Sequence, residues 1–244
     1  MRLEIWPARY HYRSLSTVNN RKSRPQSTIK QLLVVSLCFF FEMGKQLVCA
    51  ITGGSQGIGY AIAEKLLSNK CIVYNLDIKE PTATTTSFCV SDAKFLQADV
   101  SNPDDVTARL QHIYDTERKC DILVNNAGIF ETVENVNRCW DDSVSSETID
   151  SILKTNLGGV IHGTRAVSRI MKLQKSCKGA FFPKIINISS TAALGPFPDH
   201  PVYASTKAGV LHFSRIADID LRKSHGIRVY CICPGIIDTG KYIM

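Results

Sequence analysis

The stretch LVCAITGGSQGIGYAIAEKLLSN, residues 47–69, decides the fold class. Its first six residues form an apolar run typical of a short buried strand, and GGSQG is typical of a turn. The residues that follow place Ile58, Ile62 and Leu66 on one face of a helix. The stretch therefore predicts a strand, a glycine turn and a helix in immediate succession.

The glycine turn is also the first indication of function. Gly53 permits the tight turn, Gly57 lets the backbone approach a pyrophosphate at the start of the helix, and Gly59 lets helix and strand pack closely. The spacing is GxxxGxG rather than GxGxxG. The strand and helix on either side favour a nucleotide-binding turn over a purely structural one. We predict cofactor contacts from Gly53, Ser55, Gln56, Gly57 and Ile58.

The rest of the chain repeats the alternation of apolar runs and helical patterns. Further strands are predicted within residues 71–77, 93–100, 120–128, 184–190 and 227–235. Helices are predicted from residue 103, from 147 to about 175 with Ser146 as its cap, and from the Tyr203 region to about 223. Six strands alternating with helices predict an α/β fold, a doubly wound parallel sheet of the Rossmann type.

The acid that ends the second strand indicates which nucleotide binds. Asp77 follows Gly53 by twenty-four residues and can accept hydrogen bonds from the adenosine ribose hydroxyls. A carboxylate there repels a 2′-phosphate, and the residue before Gly57 is Gln56 rather than a cation. Lys79 is the one nearby residue that could supply positive charge. The pattern favours NAD over NADP.

A second stretch, KIINISSTAALGPFPDHPVYASTKAG at residues 184–209, carries candidate catalytic groups. Tyr203 and Lys207 are four residues apart and share one face of a helix, and Ser190 lies at the mouth of the preceding strand. Two unit charges about 4 Å apart attract by roughly 4 kcal/mol at an effective dielectric of ~20, enough for an ammonium to lower the pKa of a phenol substantially. We therefore expect Lys207 to lower the Tyr203 pKa and Ser190 to hold a substrate oxygen.

Composition and charge exclude several other classes. The 244 residues are 44% hydrophobic and 21% charged, as in ordinary globular domains. The nine cysteines are an odd set without a CxxC pair, which indicates reduced thiols, and no metal site is indicated. Residues 1–42 hold seven basic and two acidic residues, so five of the seven net positive charges lie there. The remainder is nearly neutral and gives no electrostatic footprint for nucleic acid.

The basic segment 1–42 admits three interpretations. Its Arg- and Ser-rich, acid-poor composition suits a mitochondrial presequence, although Pro7 and Pro25 and a weak amphipathic period count against one. A signal anchor would need about 20 apolar residues, and the run at 32–41 is shorter, so a membrane partner is not expected. We favour a start at Met43, which leaves 1–42 as a disordered extension, or as upstream sequence translated by mistake, before a domain at 43–244, and predicts a cytoplasmic protein.

These motifs together resemble the short-chain dehydrogenase/reductase family over residues 46–240, most closely its NAD-dependent 15-hydroxyprostaglandin dehydrogenase-like branch. The matching features, in family order, are TGGSQGIG (52–59), Asp77, Asp99-Val100, NNAG (125–128), Asn156, Ser190, Tyr203-x-x-x-Lys207 and PGIIDT (234–239). The resemblance implies that Tyr203 is the general acid/base, that Lys207 lowers its pKa and holds the nicotinamide ribose, and that Ser190 orients the substrate. It also implies that Asn156 carries a water in a proton relay.

The resemblance implies further contacts in the cofactor and substrate sites. Asp99 and Val100 would hold the adenine, Asn126 would lie beside the cofactor, and Ile237 and Thr239 would contact the nicotinamide carboxamide. His200 stands where the prostaglandin-type enzymes have Gln, and it faces either substrate or solvent. The implied reaction is hydride transfer between NAD(H) and a secondary alcohol or ketone.

Three features depart from the family pattern. The crossover after the second strand is short, the loop after NNAG is long and polar, and the chain stops at Met244. The family's seventh strand and substrate-covering segment, which also support its homo-oligomers, would then be missing, so we expect an exposed edge at the sixth strand. An impaired or non-catalytic NAD-binding or interaction protein is therefore the alternative to an enzyme.

Overall fold

A computed structural model describes residues 4–6, 46–81, 92–131, 144–174, 182–235 and 237. Its strands are β1 (Glu4–Trp6), β2 (Val48–Thr52), β3 (Ile72–Asp77), β4 (Lys94–Gln97), β5 (Ile122–Asn125), β6 (Lys184–Ile188) and β7 (Arg228–Cys233). Its helices are α1 (Gly57–Ser68), α2 (Pro103–Glu117), α3 (Ser146–Ile152), α4 (Gly159–Leu173) and α5 (Pro201–His225). A π-helical turn, Leu153–Gly158, joins α3 to α4, and a 3-10 turn, Thr191–Ala193, precedes α5.

The strands form one sheet in the order β1-β7-β6-β5-β2-β3-β4. The six strands from β2 to β7 pair with one another only in parallel, which confirms the predicted doubly wound sheet. β2 pairs with β3 on one side and with β5 on the other, so the strand order reverses between β2 and β5. Ligands of such sheets bind at this reversal, beyond the carboxyl ends of the strands.

The predicted exposed edge at the sixth parallel strand is wrong. β1 pairs antiparallel with β7, and Ile5 stands opposite Ile232. An edge strand presents unpaired N–H and C=O groups that any extended segment within reach can satisfy. The basic composition of residues 1–42 gave no sign of a strand, yet three of those residues complete a seven-stranded sheet.

The core lies on both faces of the sheet because both faces of its central strands are buried. Along β2, Val48 and Ala50 pack toward a cluster that includes residues of α2, α4 and α5. Cys49 and Ile51 alternate with them and pack toward a cluster that includes α1. Burial on both faces explains why these strands are continuous apolar runs in the sequence.

The helix boundaries differ from the prediction at one important place. Ser145, not Ser146, caps α3, and its Oγ accepts from the Thr148 N–H at 3.2 Å. The predicted single helix widens into the π-helical turn around Asn156 before continuing as α4. Residues 82–91 and 132–143, the predicted short crossover and long polar loop, lie outside the described residues, as do 175–181.

Candidate active site

A cleft of about 500 Å³ opens beyond the carboxyl ends of the parallel strands. The glycine turn after β2, the acid that ends β3 and the segments after β5, β6 and β7 form its walls. The lining residues include Gly53, Gln56, Gly57, Ile58, Asp77, Asp99, Val100, Asn126, Gly128, Phe130, Ser190, Tyr203, Lys207 and Gly235. Most of the residues predicted from sequence therefore share this one cleft.

The glycine turn is shaped by steric requirements at three positions. Gly53 and Gly57 have φ of +68° and +57°, the left-handed region that favours glycine. A Cβ on Gly59 would lie 2.1 Å from the Gly53 carbonyl oxygen. The turn leads directly into α1. Gln56 is the N-cap residue of that helix, but its side chain makes no capping hydrogen bond. The first amides of α1 and the helix dipole favour an anion at this end of the cleft.

Asp77 fixes the turn as well as facing the cleft. Its Oδ2 accepts from the Ser55 N–H at 2.9 Å. Ser55 is buried behind the turn, where its hydroxyl donates to the Lys79 carbonyl and accepts from Asn75 Nδ2 at 3.0 Å. Ser55 is absent from the residues that line the cleft, so in this structure it supports the turn.

The predicted adenine and cofactor residues line the middle of the cleft. Asp99 is exposed there, and its Oδ1 accepts from the N–H and the hydroxyl of Ser101 at 2.9 and 2.8 Å. Val100 is buried and packs closely against Gly159. A Cβ added to Gly159 would lie 3.0 Å from the Val100 side chain. Asn126 is held by its Nδ2, which donates to the Thr52 and Gly53 carbonyls, both at 3.0 Å.

Ser190, Tyr203 and Lys207 meet at the other end of the cleft. Tyr203 lies in the first turn of α5, and Lys207 lies one turn later, with its Nζ 5.6 Å from the Tyr203 ring centroid. Lys207 is buried and donates to the Ile188 carbonyl at 2.9 Å. Ser190 lies two residues beyond the end of β6, at the start of the 3-10 turn, and its side chain is close enough to the Tyr203 phenol to lower the pKa of that phenol. The three side chains predicted to act together are therefore adjacent.

The electrostatics of this group differ from the prediction. Burial raises the pKa of Tyr203 above its ordinary value, the hydrogen bond to Ser190 opposes that rise, and the Glu131 carboxylate adds to it. Burial also lowers the pKa of Lys207 to about 8. The predicted lowering of the Tyr203 pKa is wrong, because burial of the phenol raises its pKa by more than Ser190 lowers it.

Asn156 is fully buried in the π-helical turn. Its Oδ1 accepts from the Ile129 N–H at 2.8 Å, and its Nδ2 donates to the Ile129 carbonyl at 2.7 Å and to Thr206 Oγ1 at 3.1 Å. The widened turn thus connects the loop after β5 to α5 through one side chain. Asn156 does not line the cleft directly, and its part in a proton relay stays a prediction.

The family model described as short chain dehydrogenase matches residues 47–242. The chain belongs to the short chain dehydrogenase family. A similar curated protein is the mouse 15-hydroxyprostaglandin dehydrogenase [NAD(+)], which is 35% identical over 200 residues that cover 79% of this chain and 68% of the mouse protein.

Other relatives show that the family resemblance extends across different enzymes. The 3-oxoacyl-[acyl-carrier-protein] reductase FabG of Chlamydia muridarum is 35% identical over 198 residues, covering 78% of this chain and 73% of that protein. A short chain dehydrogenase/reductase from Burkholderia phymatum, solved in complex with NAD, superimposes with a TM-score of 0.70 at 26% identity. That match covers 80% of this chain and 68% of the other. The chain is thus a family oxidoreductase on sequence and fold alike.

Within this short chain dehydrogenase, the remaining predicted residues are differently placed. His200 is outside the cleft lining, stacks on Phe197 with ring centroids 5.8 Å apart, and turns its Nδ1 toward Glu131. Its contact with substrate stays a prediction. Ile237 packs against the core cluster on the α1 face, and Thr239 lies outside the described residues.

Two features of the site were missed by sequence reasoning. Glu131 is buried beside α5, and its Oε1 accepts from the N–H groups of Val202 and Tyr203. Asn125 and Asn187 form a buried polar chain from β5 to β6, with Asn125 Nδ2 donating to Asn187 Oδ1 at 2.8 Å. The sequence holds one indication that such a residue exists. The residue before Pro201, where a capping Ser, Thr, Asp or Asn would stand, is His200, so another segment must supply the acceptor for the first N–H groups of α5.

Among the described residues, no group of three or more His, Cys, Asp or Glu side chains is arranged to hold a metal ion. No helix described in the structure is both long enough and apolar enough to cross a bilayer.

Proposed function

We propose that this short chain dehydrogenase transfers a hydride between NAD(H) and a secondary alcohol or ketone, with Tyr203 as the general acid/base. The observation that carries the proposal is the meeting of Ser190, Tyr203 and Lys207 at one end of a cleft whose other end is a glycine turn. One cleft thus offers both a nucleotide cradle and a proton-transfer group. The non-catalytic alternative gains no support, because the catalytic set comes together intact.

The residues present fit a nicotinamide dinucleotide. Gly53 and Gly57 have positive φ, a conformation in which a residue with a side chain would be strained. Because glycine has no side chain, the backbone of the turn stays open to a pyrophosphate. Asp77 stands at the cleft edge where ribose hydroxyls would bind, and its carboxylate would repel the 2′-phosphate of NADP. Relatives whose names or bound ligands include NAD agree with that choice. NAD is therefore the proposed cofactor.

The chain's own residues supply binding and proton transfer, while the bound nicotinamide would supply the hydride donor or acceptor. Ser190 would donate a hydrogen bond to the substrate oxygen and hold it beside the Tyr203 hydroxyl. In reduction, the Tyr203 phenol donates its proton to the oxygen as that oxygen gains charge; in oxidation, the Tyr203 phenolate removes the proton of the alcohol. Lys207 would interact with the nicotinamide ribose, and Asn156 would hold a relay water.

The raised pKa of Tyr203 has a consequence for direction. A phenol that stays protonated at neutral pH is ready to donate, which suits reduction of a ketone. Oxidation needs the phenolate, so its rate should increase as the pH approaches the Tyr203 pKa. We therefore propose that reduction is favoured at neutral pH and oxidation at alkaline pH.

Calorimetric titration with NADH and with NADPH, followed by turnover assays on a panel of secondary alcohols and ketones, tests the proposal. We expect NADH to bind more tightly than NADPH and at least one panel member to turn over. NADH binding without turnover on any panel member would support the non-catalytic alternative and contradict hydride transfer. Failure of either nucleotide to bind would contradict the cofactor assignment itself.

A further inference from the structure

The first turn of α5, which carries Tyr203, lacks a cap of its own. Pro201 occupies its first position, and His200, the residue before it, makes no side-chain cap hydrogen bond. The N–H groups at the start of a helix have no acceptor within the helix and need one from elsewhere. Glu131 supplies it: its Oε1 accepts from Val202 N–H at 2.8 Å and from Tyr203 N–H at 3.0 Å. A carboxylate seventy-two residues away thus holds the backbone of Tyr203 itself.

The second oxygen of Glu131 is enclosed as well. Glu131 is only 5% exposed, and its Oε2 lies 3.7 Å from His200 Nδ1. Neither atom has a hydrogen-bond partner among the described residues. The His200 ring is held between Phe130, at 5.4 Å in an edge contact, and Phe197, on which it stacks. The imidazole therefore covers the carboxylate and keeps it facing α5.

Glu131 belongs to a segment of three residues that contacts both Asn156 and Tyr203. Ile129 exchanges two backbone hydrogen bonds with the Asn156 side chain. Phe130 lines the cleft and meets the Tyr203 ring in an edge contact at 6.3 Å. Residues 129–131 thus link the loop after β5 to the π-helical turn, to the phenol ring and to the start of α5.

We propose that Glu131 is a positioning residue for Tyr203: its buried carboxylate, covered by His200, caps α5 and fixes the phenol opposite Ser190. This proposal rests on the proposed function, in which Tyr203 transfers the proton. Glu131 lies outside the cleft lining, so it is not placed to bind substrate or cofactor in the cleft. Its effect passes through the backbone of Tyr203, because a helix end without a cap frays within its first turn, where Tyr203 lies.

Two substitutions separate the hydrogen bonds from the charge. Glu131→Gln keeps an oxygen that accepts from Val202 and Tyr203 but removes the negative charge, whereas Glu131→Ala removes both. Glu64→Ala, at an exposed glutamate of α1, is the matched control. We expect Glu131→Ala to lower kcat by about tenfold to a hundredfold, as a displacement near 1 Å would. We expect KM for NAD to stay unchanged, and Glu131→Gln to restore most of kcat.

The charge of Glu131 gives a second readout. The groups facing Tyr203 are Ser190, Lys207 and Glu131, with His200 beyond the carboxylate. Glu131 contributes to the raised pKa of Tyr203, so Glu131→Gln should move the rising limb of the oxidation pH profile to lower pH. Nuclear magnetic resonance of isotope-labelled tyrosine, with the Tyr203 signal assigned by Tyr203→Phe, follows the same titration without any need for turnover.

The outcomes are distinguishable from failure of the proposed function. If the parent protein binds NADH but shows no turnover, the proposed function fails, and the Tyr203 resonance still decides the positioning. Two results together support the positioning role of Glu131. The Tyr203 signal is shifted in Glu131→Ala, and in Glu131→Gln it returns to its position in the parent apart from the change caused by the lower Tyr203 pKa. Turnover of Glu131→Ala within about twofold of the parent, an equal loss in both variants, or an unchanged Tyr203 pKa in Glu131→Gln would each overturn it.

Discussion

Gly59→Ala is predicted to destabilise the protein although alanine is the better helix former. A Cβ at this position would lie 2.1 Å from the Gly53 carbonyl oxygen and 2.5 Å from Asn126 Nδ2. The carbonyl is backbone and cannot rotate away, and Asn126 Nδ2 already donates to it at 3.0 Å. Relieving the contact requires α1 to move away from the turn by at least about 1.3 Å, because ordinary van der Waals contacts begin at 3.4 Å.

The size of the effect follows from two opposing contributions. Replacing glycine by alanine inside a helix gains about 1 kcal/mol in an open position. Overpacking a rigid site costs about 1–3 kcal/mol and more when backbone must shift. We therefore expect Gly59→Ala to lower the free energy of unfolding by about 2 kcal/mol, which lowers the urea midpoint by about 1 M. NADH affinity should also fall, by about tenfold or more, because the turn that faces the pyrophosphate is displaced.

Gly158→Ala is the matched control for this prediction. Gly158 is also helical, and the nearest atom to its added Cβ is the Leu153 carbonyl oxygen at 3.6 Å, an ordinary contact. That variant should be as stable as the parent or more stable, by up to about 1 kcal/mol. Equilibrium urea unfolding of both variants measures the difference. Equal stability of Gly59→Ala and Gly158→Ala, with unchanged slopes, would refute the steric reasoning.

Three further predictions concern the cofactor, the core and the buried lysine. Asp77→Asn should improve the affinity for NADPH relative to NADH by about tenfold in calorimetric titration, because the carboxylate that repels a 2′-phosphate is gone; an unchanged ratio would count against its role. Asn187→Ala should lower the free energy of unfolding, measured in urea, by about 2–4 kcal/mol, because it leaves a small cavity and breaks two buried hydrogen bonds. These are the bond that Asn187 accepts from Asn125 Nδ2 at 2.8 Å and the bond that it donates to Ser214 Oγ at 2.9 Å. The folded-state pKa of Lys207 is about 8 against an ordinary 10.5. Between these two pH values the unfolded chain binds more protons than the folded protein, so the free energy of unfolding of the parent should rise with pH relative to that of Lys207→Met. A difference between the two proteins that does not change with pH would contradict the pKa.

The parts of the fold that were predictable from sequence are those whose determinants lie close together in the chain. The run from β2 through the glycine turn to α1 contains its own strand pattern, its own turn residues and its own helical face. The parallel sheet follows from the alternation of such units. Tyr203 and Lys207 were found because four residues of helix bring them to one face.

The parts that were not predictable depend on groups far apart in the chain. The acceptor that caps α5 is Glu131, seventy-two residues before Tyr203, and its only trace in the sequence is the missing cap. β1 joins the sheet through backbone pairing with β7, which leaves no side-chain pattern in so short a strand. The pKa of Tyr203 depends on how deeply the fold buries the phenol, and the spacing of Tyr203 and Lys207 cannot reveal burial.

In the proposed function, Tyr203 transfers the proton during hydride transfer to or from NAD. The most direct test compares Tyr203→Phe with the parent and with Tyr114→Phe, a tyrosine of α2 outside the cleft lining. We measure turnover of an alcohol accepted by the parent and, for each protein, the dissociation constant of NADH. We expect Tyr203→Phe alone to lose about two to four orders of magnitude in turnover, because general acid/base catalysis contributes about 10²–10⁴-fold, and to keep the NADH affinity of the parent. Turnover by Tyr203→Phe within about tenfold of the parent would contradict it.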